Sequence, residues 1–175
     1  MEKTNWRVLT GAAGSGKTTV LEYLSQLGHN VSTEVARKII DEGLALGITL
    51  KQIRGDELAF QKAIAIRAIS REKFLPHNEL NFLDRSLADC WGYCLAYGFD
   101  SSWLLDLCFA HRYRQVFFLE ALPWQEDYAR PAEEERMASL IEQGLKQAYT
   151  LANYELIFVP VMPPTARAEF ICSFL

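Results

Sequence analysis

Short apolar runs alternate with helical patterns along the chain. Three runs have the composition of strands, from Trp6 to Thr10, from Leu80 to Leu83 and from Gln115 to Leu119. Two further strands are indicated from Asn30 to Thr33 and from Leu156 to Val161. Because strands and helices alternate, the pattern predicts an α/β fold in which crossover helices connect parallel strands and cover both faces of the sheet. Ligands are then expected outside the carboxyl ends of the strands.

The segments between the strands repeat their apolar residues at helical spacing. Gly43 and Gly47 weaken the second of these segments, and Pro76 ends the third, which reads as one long helix. The predicted helices cover residues 16–27, 35 onward, 51–75, 87–97, 102–113 and 133–149.

Composition and charge narrow the class of protein. The chain has 175 residues, of which 50% are hydrophobic, as expected for a single domain spanning residues 1–175. The net charge is −4 and no run of Lys or Arg stands out, so long nucleic acid is not an expected partner. A local basic cleft for a phosphate is compatible with this charge.

The cysteines and the N-terminus exclude several further classes. The four cysteines form no Cys-x-x-Cys pair, which disfavours a metal finger or a disulfide framework. The N-terminus lacks the basic start and apolar run of a signal peptide, and no apolar segment reaches membrane-spanning length. We therefore expect a cytoplasmic protein without a membrane partner.

The strongest signal is the glycine-rich segment from Gly11 to Thr18. It fits G-x-x-x-x-G-K-[ST] at every fixed position and lies between a predicted strand and a predicted helix. Glycines let the backbone curl so that its N–H groups point at phosphate oxygens, and the helix adds its positive end. The residues expected to bind the nucleotide here are Gly11, Ala13, Gly14, Ser15, Gly16, Lys17, Thr18 and Thr19.

Two side chains of this loop are expected to contact the phosphates and the metal ion. Lys17 would reach the β- and γ-phosphates, and Thr18 would give its hydroxyl to Mg²⁺. The alternative is a flexible strand-to-helix turn with an accidental lysine. The motif predicts binding of ATP and Mg²⁺, but kinases, ATPases and GTPases all use it, so the reaction depends on other residues.

Candidate partners of the loop follow the third strand. Asp84 should lie at the carboxyl end of that strand, where it can hold Mg²⁺ or take a proton from an acceptor. Arg85 beside it can hold an acceptor hydroxyl or carboxylate with its planar fork of donors. The alternative is a capping Asp with a surface Arg.

The second strand ends in another candidate pair. Glu34 is a candidate catalytic base, and Arg37 one helical turn later should face the same acceptor site. The alternative is a helix-terminal Glu paired with a nearby Arg. A lid is expected over about residues 122–136, where Arg130 would stabilise the transferring phosphoryl group and Arg136 is a weaker candidate. The alternative for Arg130 is an exposed loop arginine.

The chain resembles the P-loop ATPase/kinase family that includes the bacterial ribosylnicotinamide kinase domain. The resemblance extends over almost the whole chain and rests most specifically on the glycine-rich loop. Its other features are Thr33 to Arg37, Phe82 to Ser86 with Asp89, Asp127 with Arg130, and Phe158 to Pro160 followed by Arg167.

The chain is also similar, more distantly, to deoxynucleoside kinases. The corresponding stretches are Glu34, Phe60-Gln61 and Asp84-Arg85-Ser86. The similarity implies that they serve as the base, as the pair that recognises the nucleobase, and as contacts to metal and hydroxyl. Those kinases have Glu where this chain has Asp84, and the shorter side chain favours a metal contact through water.

These resemblances also imply the architecture and the nucleotide. They imply a three-layer sandwich whose parallel five-stranded sheet has the order 2-3-1-4-5 with helices on both faces. Adenine would rest near residues 160–167, which include Arg167. The Asn-Lys-x-Asp motif that reads guanine is missing from the sequence, so ATP is the expected nucleotide.

The sequence therefore favours an ATP- and Mg²⁺-dependent kinase for a nucleoside-like or ribosyl small molecule. Gln61 and Asp89 would hold the acceptor, and Glu34 or Asp84 would accept its hydroxyl proton. One alternative is a switch or interaction module that hydrolyses ATP slowly, and another is a nucleotide hydrolase. Polar groups converging on a cavity would favour the kinase, whereas an exposed apolar patch beside the lid would favour the switch. The sequence leaves the oligomeric state open.

Overall fold

A computed structural model describes residues 2–33, 35–109, 111–123 and 132–175. The strands are β1 (Glu2–Lys3), β2 (Trp6–Thr10), β3 (Asn30–Ser32), β4 (Asn81–Asp84), β5 (His111–Arg112), β6 (Gln115–Leu119) and β7 (Leu156–Val159). The helices are α1 (Lys17–Gln26), α2 (Val35–Ala45), α3 (Leu50–Ile53), α4 (Glu57–Lys73), α5 (Leu87–Tyr97), α6 (Leu105–Cys108), α7 (Ala132–Leu151) and α8 (Pro164–Cys172).

The main sheet has five parallel strands in the order β3-β4-β2-β6-β7. Counted along the chain within this sheet, the order is 2-3-1-4-5, which confirms the expected architecture. The central strand β2 is buried along its whole length, as its apolar sequence predicts for a strand covered on both faces.

The two faces of the sheet pack against different helices. Leu9 belongs to a core cluster that includes apolar residues of α1 and α8. Trp6 and Val8, on the opposite face of the same strand, pack with residues of α5 and α7. These layers place the carboxyl ends of β2, β3 and β4 at one edge, which is the edge where the glycine-rich loop begins.

The long helix predicted over residues 51–75 is wrong in one respect, because the structure divides it into α3 and α4. A Cβ added at Gly55 would lie 2.9 Å from the carbonyl oxygen of Lys51, so the break requires glycine here. Asp56 then caps α4 by accepting a hydrogen bond from the Ala59 amide at 2.9 Å. This side-chain cap stabilises the start of α4.

The helix predicted over residues 102–113 is also wrong. A 3₁₀ turn (Ser102–Leu104) and the single-turn helix α6 replace most of it. The chain then forms β5, which pairs in parallel with β1. Arg112 fixes this strand by stacking over the Tyr154 ring at 4.2 Å, a tertiary contact that overrides local helical spacing.

The C-terminal helix α8 was not foreseen. The family resemblance implied a loop over residues 160–167, but α8 begins at Pro164 and places Arg167 inside the fold. Proline in the first turn is compatible with a helix start, because the amide that it lacks has no partner there. None of the helices in the described ranges is both long enough and apolar enough to cross a membrane.

Two glycines set the distance between α5 and α7. A Cβ added at Gly92 would lie 2.7 Å from the Leu145 Cα, and one added at Gly144 would collide with the Gly92 carbonyl oxygen. We expect Gly144→Ala to lower the free energy of unfolding by about 1–3 kcal/mol, because the added methyl forces the helices apart. This loss should appear despite the higher helix propensity of alanine.

Urea denaturation measures this effect. Ser139→Ala, at an exposed position of the same helix, is the matched control and should leave stability almost unchanged. A Gly144→Ala protein as stable as the parent would contradict the close helix contact.

Candidate active site

The glycine-rich loop from residue 11 to residue 18 connects β2 to α1 at the carboxyl edge of the sheet. Gly11, Gly14 and Gly16 have φ angles of 141°, 76° and 84°, which side-chain-bearing residues rarely adopt. A Cβ on Gly11 would also lie 2.6 Å from the Leu119 carbonyl oxygen. The glycines of the motif are therefore required by the backbone itself, as the sequence predicted.

Lys17 points back across the loop that precedes it. Its Nζ donates to the carbonyl oxygens of Gly11 and Ala12, both at 3.0 Å. It also donates to the Ser15 hydroxyl at 3.2 Å. The ammonium group is thus held inside the loop, with the residue only 8% exposed.

Thr18 and Asp84 offer oxygen ligands to the same cavity. Thr18 is exposed in the first turn of α1, and Asp84 is buried at the end of β4, paired in register with Leu9 of β2. Magnesium at phosphate sites takes one or two such oxygens together with phosphates and water. The pair fits Mg²⁺. In the described part of the chain, no cluster of three or more His, Cys, Asp or Glu residues suggests another metal.

Arg85 follows β4 in a left-handed conformation, with φ at 63°. A non-glycine residue in this region is strained, and such strain is found most often at functional sites. Its Nη1 donates to Asp89 at 3.0 Å, and its guanidinium lies 5.4 Å from the centre of the Tyr93 ring. The strained backbone and these two contacts orient the guanidinium beside the cavity.

Asp89 organises the start of α5. One carboxylate oxygen accepts from Thr10 at 2.6 Å as well as from Arg85, and the other accepts from the Ser86 amide at 2.9 Å. Tyr149 donates to the second oxygen at 2.5 Å. Burial, and next the Asp89 charge, raise the pKa of Tyr149, which keeps its hydroxyl protonated as a donor. Asp89 lines the cavity, and its charged partner there is Arg85.

A second wall of the cavity comes from α4. Phe60 and Gln61 both line it, and Gln61 is 3% exposed. Gln61 Nε2 donates to Glu57 at 2.9 Å, which fixes the orientation of the amide. The similarity to deoxynucleoside kinases implied that this pair recognises the nucleobase, and the structure brings it to the same cavity as the loop.

The cavity that joins these groups has a volume of about 660 Å³. Lys17, Thr18, Arg37, Gln61, Asp84, Arg85 and Asp89, all predicted from the sequence, line it. Its apolar wall includes Cys90, whose pKa burial raises well above its ordinary value. That thiol stays protonated, so it adds apolar surface and not a nucleophile.

Some predicted residues lie elsewhere. Glu34 and Arg130 lie outside the described residues, as does the larger part of the predicted lid. Arg136 is exposed on α7. The roles of Glu34 and Arg130 remain predictions.

Arg167 lies beneath the glycine-rich loop. Its guanidinium donates to three backbone carbonyl oxygens, those of Ser15 at 2.5 Å, Glu120 at 3.1 Å and Pro160 at 2.9 Å. The residue is only 2% exposed. Arg167 therefore ties the loop to the ends of β6 and β7, and direct contact with the nucleotide remains a prediction.

Arg71 is a residue of the site that sequence reasoning missed. It lines the cavity from α4 and donates to the carbonyl oxygens of Thr33 at 3.4 Å and Arg85 at 3.2 Å. It thereby connects the segments that follow β3 and β4. Nothing in the sequence distinguishes it from other charged residues of a predicted helix, because its partners are distant backbone atoms.

Comparisons with known proteins agree with this fold. A family model described as an AAA domain matches residues 6–167, and the chain belongs to this family. No curated protein matches the chain. The fold is that of P-loop kinases, which confirms the resemblance seen in the sequence.

Three solved structures illustrate the likeness. Deoxyadenosine kinase from M. mycoides, with the products dCMP and a flexible dCDP bound, has a TM-score of 0.62 at 15% identity, with 97% of each chain covered. NadR protein in complex with NR has a TM-score of 0.70 at 16% identity, and the match covers 97% of this chain and 49% of that one. Thymidylate kinase from Ehrlichia chaffeensis has a TM-score of 0.62 at 14% identity, with 99% of each chain covered. At these identities the likeness establishes the fold.

Proposed function

We propose that this protein is a kinase that transfers the γ-phosphoryl group of ATP, with Mg²⁺, to a hydroxyl of a nucleoside-like small molecule. One observation carries the proposal. The glycine-rich loop and the polar residues Gln61, Asp84 and Arg85, which come from separate elements, face a single cavity. An ATPase that acts on water has no need for a second set of groups that could hold an acceptor.

The loop side of the cavity would bind the phosphates. The backbone amides of the loop and the N-terminal end of α1 supply positive potential, and Lys17 adds a full charge. Phosphate oxygens would replace the neutral carbonyl oxygens that Lys17 now contacts, and a charge-assisted bond is the stronger one. Thr18 and Asp84 would hold Mg²⁺, which when bound offsets negative charge on the phosphates.

The other side would hold the acceptor. Gln61, fixed by Glu57, is suited to hydrogen-bond a planar polar group, and Arg85 is suited to hold the reacting hydroxyl. Asp89 would act with them, chiefly by fixing Arg85. Glu34 or Asp84 would accept the proton of the hydroxyl, and Arg130 from the lid would offset charge on the transferring group. Catalysis would then rest on positioning and electrostatics.

A panel of acceptors tests the proposal. The protein is incubated with ATP, Mg²⁺ and each of a set of nucleosides, nucleotides and vitamins, and phosphorylated products are identified by mass spectrometry. We expect phosphoryl transfer to a subset of these acceptors. Glu34→Gln should lower turnover while ATP affinity stays nearly unchanged, because a base acts on the acceptor and not on the nucleotide.

One result would count against the proposal, and a second would make the Glu34→Gln variant uninformative. Slow ATP hydrolysis that no acceptor accelerates would favour the switch or the hydrolase instead. An equal loss of acceptor and ATP affinity in Glu34→Gln would indicate a folding defect, which circular dichroism of the variant detects.

A further inference from the structure

The described residues that line the active-site cavity carry an excess of positive charge. The two carboxylates among them are Asp84 and Asp89. The cations are Lys17, Arg37, Arg54, Arg71 and Arg85. Lys17 belongs to the phosphate loop, whereas the four arginines come from α2, α4, the connection before α4 and the segment after β4. The excess therefore lies on the acceptor side.

Two of these arginines already have a carboxylate partner. Arg85 pairs with Asp89 at 3.0 Å, and Arg54 pairs with Glu57 at 3.3 Å. Arg54 also lies over the Phe60 ring. These two guanidinium groups are compensated by the protein itself, so among the described lining residues the surplus charge rests on Arg37 and Arg71.

Arg71 has weak compensation for a side chain that is only 14% exposed. Within the described ranges its carboxylate contact is Glu72 at 3.5 Å, and burial raises the pKa of Glu72, which opposes a full charge there. Glu72 also accepts hydrogen bonds from Tyr113, on the core side of α4. The Nε of Arg71 is buried and has no hydrogen-bond partner within the described part of the chain. A buried donor of this kind is costly unless a ligand satisfies it.

Arg37 is exposed at the rim of the same cavity, on α2. We propose that the acceptor carries an anionic group, a phosphate or a carboxylate, in addition to its reacting hydroxyl, and that Arg37 and Arg71 bind this group. The inference rests on the proposed kinase function. A guanidinium matches both anions through paired hydrogen bonds. A neutral acceptor would leave the surplus charge uncompensated, and a cationic one would be repelled.

Binding is measured with the phosphate loop already filled. The protein is saturated with AMP-PNP and Mg²⁺, and each nucleoside is then titrated by calorimetry beside its 3′- and 5′-monophosphates. We expect a monophosphate to bind more tightly than its nucleoside, with an affinity that falls as salt rises. Arg37→Gln should weaken that monophosphate about tenfold and leave the nucleoside unchanged. Lys38→Gln, an exposed neighbour on α2 outside the cavity lining, should change neither.

Two outcomes overturn the inference. One is a nucleoside that binds as tightly as its monophosphates, and the other is an Arg37→Gln protein that keeps the full preference for the anion. Product analysis by ³¹P NMR tests the proposed function separately. A phosphomonoester product supports transfer to a hydroxyl, whereas monophosphate binding without any transfer from ATP leaves the anion site standing and refutes the kinase.

Discussion

Replacing Lys17 with alanine should lower kcat for phosphoryl transfer at least about 100-fold, because the ammonium group would stabilise charge that develops on the transferring group. ATP affinity should fall as well, since the same group contacts the phosphates in the ground state. Steady-state kinetics and calorimetry with AMP-PNP separate the two effects.

Lys73→Ala provides the matched control. Lys73 is an exposed lysine at the end of α4, and its removal should change neither turnover nor affinity. An undiminished rate in Lys17→Ala would remove the phosphate-loop assignment and with it the proposed function.

Arg167→Ala is expected to have the largest effect on stability. It leaves the buried carbonyl oxygen of Ser15 and the partly buried contacts to Glu120 and Pro160 without their charged donor. We expect the free energy of unfolding to fall by about 3 kcal/mol. For a chain of this size that corresponds to a decrease in Tm of roughly 6–12 °C. ATP should also bind more weakly, because the hydrogen bond from Arg167 to the Ser15 carbonyl fixes the shape of the loop.

Two further variants make this prediction specific. Arg167→Lys keeps the charge but lacks the planar fork with which arginine reaches three separate carbonyls. This variant should therefore be more stable than Arg167→Ala but less stable than the parent. Thr165→Ala, exposed on the same helix, should be neutral. If Arg167→Ala bound ATP weakly at full stability, Arg167 would instead be a direct nucleotide contact.

The acceptor side depends on contacts between elements that are distant in the sequence. Arg71 reaches the backbone at Thr33 and Arg85, and Asp89 accepts from Thr10, which lies 79 residues away. Because such contacts join distant parts of the chain, local sequence patterns could not indicate that Arg71 belongs to the site.

The sequence by itself determined the phosphate loop and the alternation of strands and helices. The backbone angles at Gly11, Gly14 and Gly16 require glycine. Because this requirement concerns single residues, the sequence motif alone indicates it. The apolar run of β2 likewise predicts that this strand is buried, since a strand covered on both faces has few polar residues. The strand order came from the family resemblance, which the sheet confirms.

Tertiary structure alone decided the strand β5 and the use of the arginines. The division of residues 51–75 rests on a local cap at Asp56, whereas the strand β5 forms where local spacing predicted helix because β1 pairs with it. Arg167 and Arg71 act on backbone carbonyls far along the chain. A guanidinium has the same chemistry on the surface and in the core, so only the fold determines which oxygen atoms it reaches.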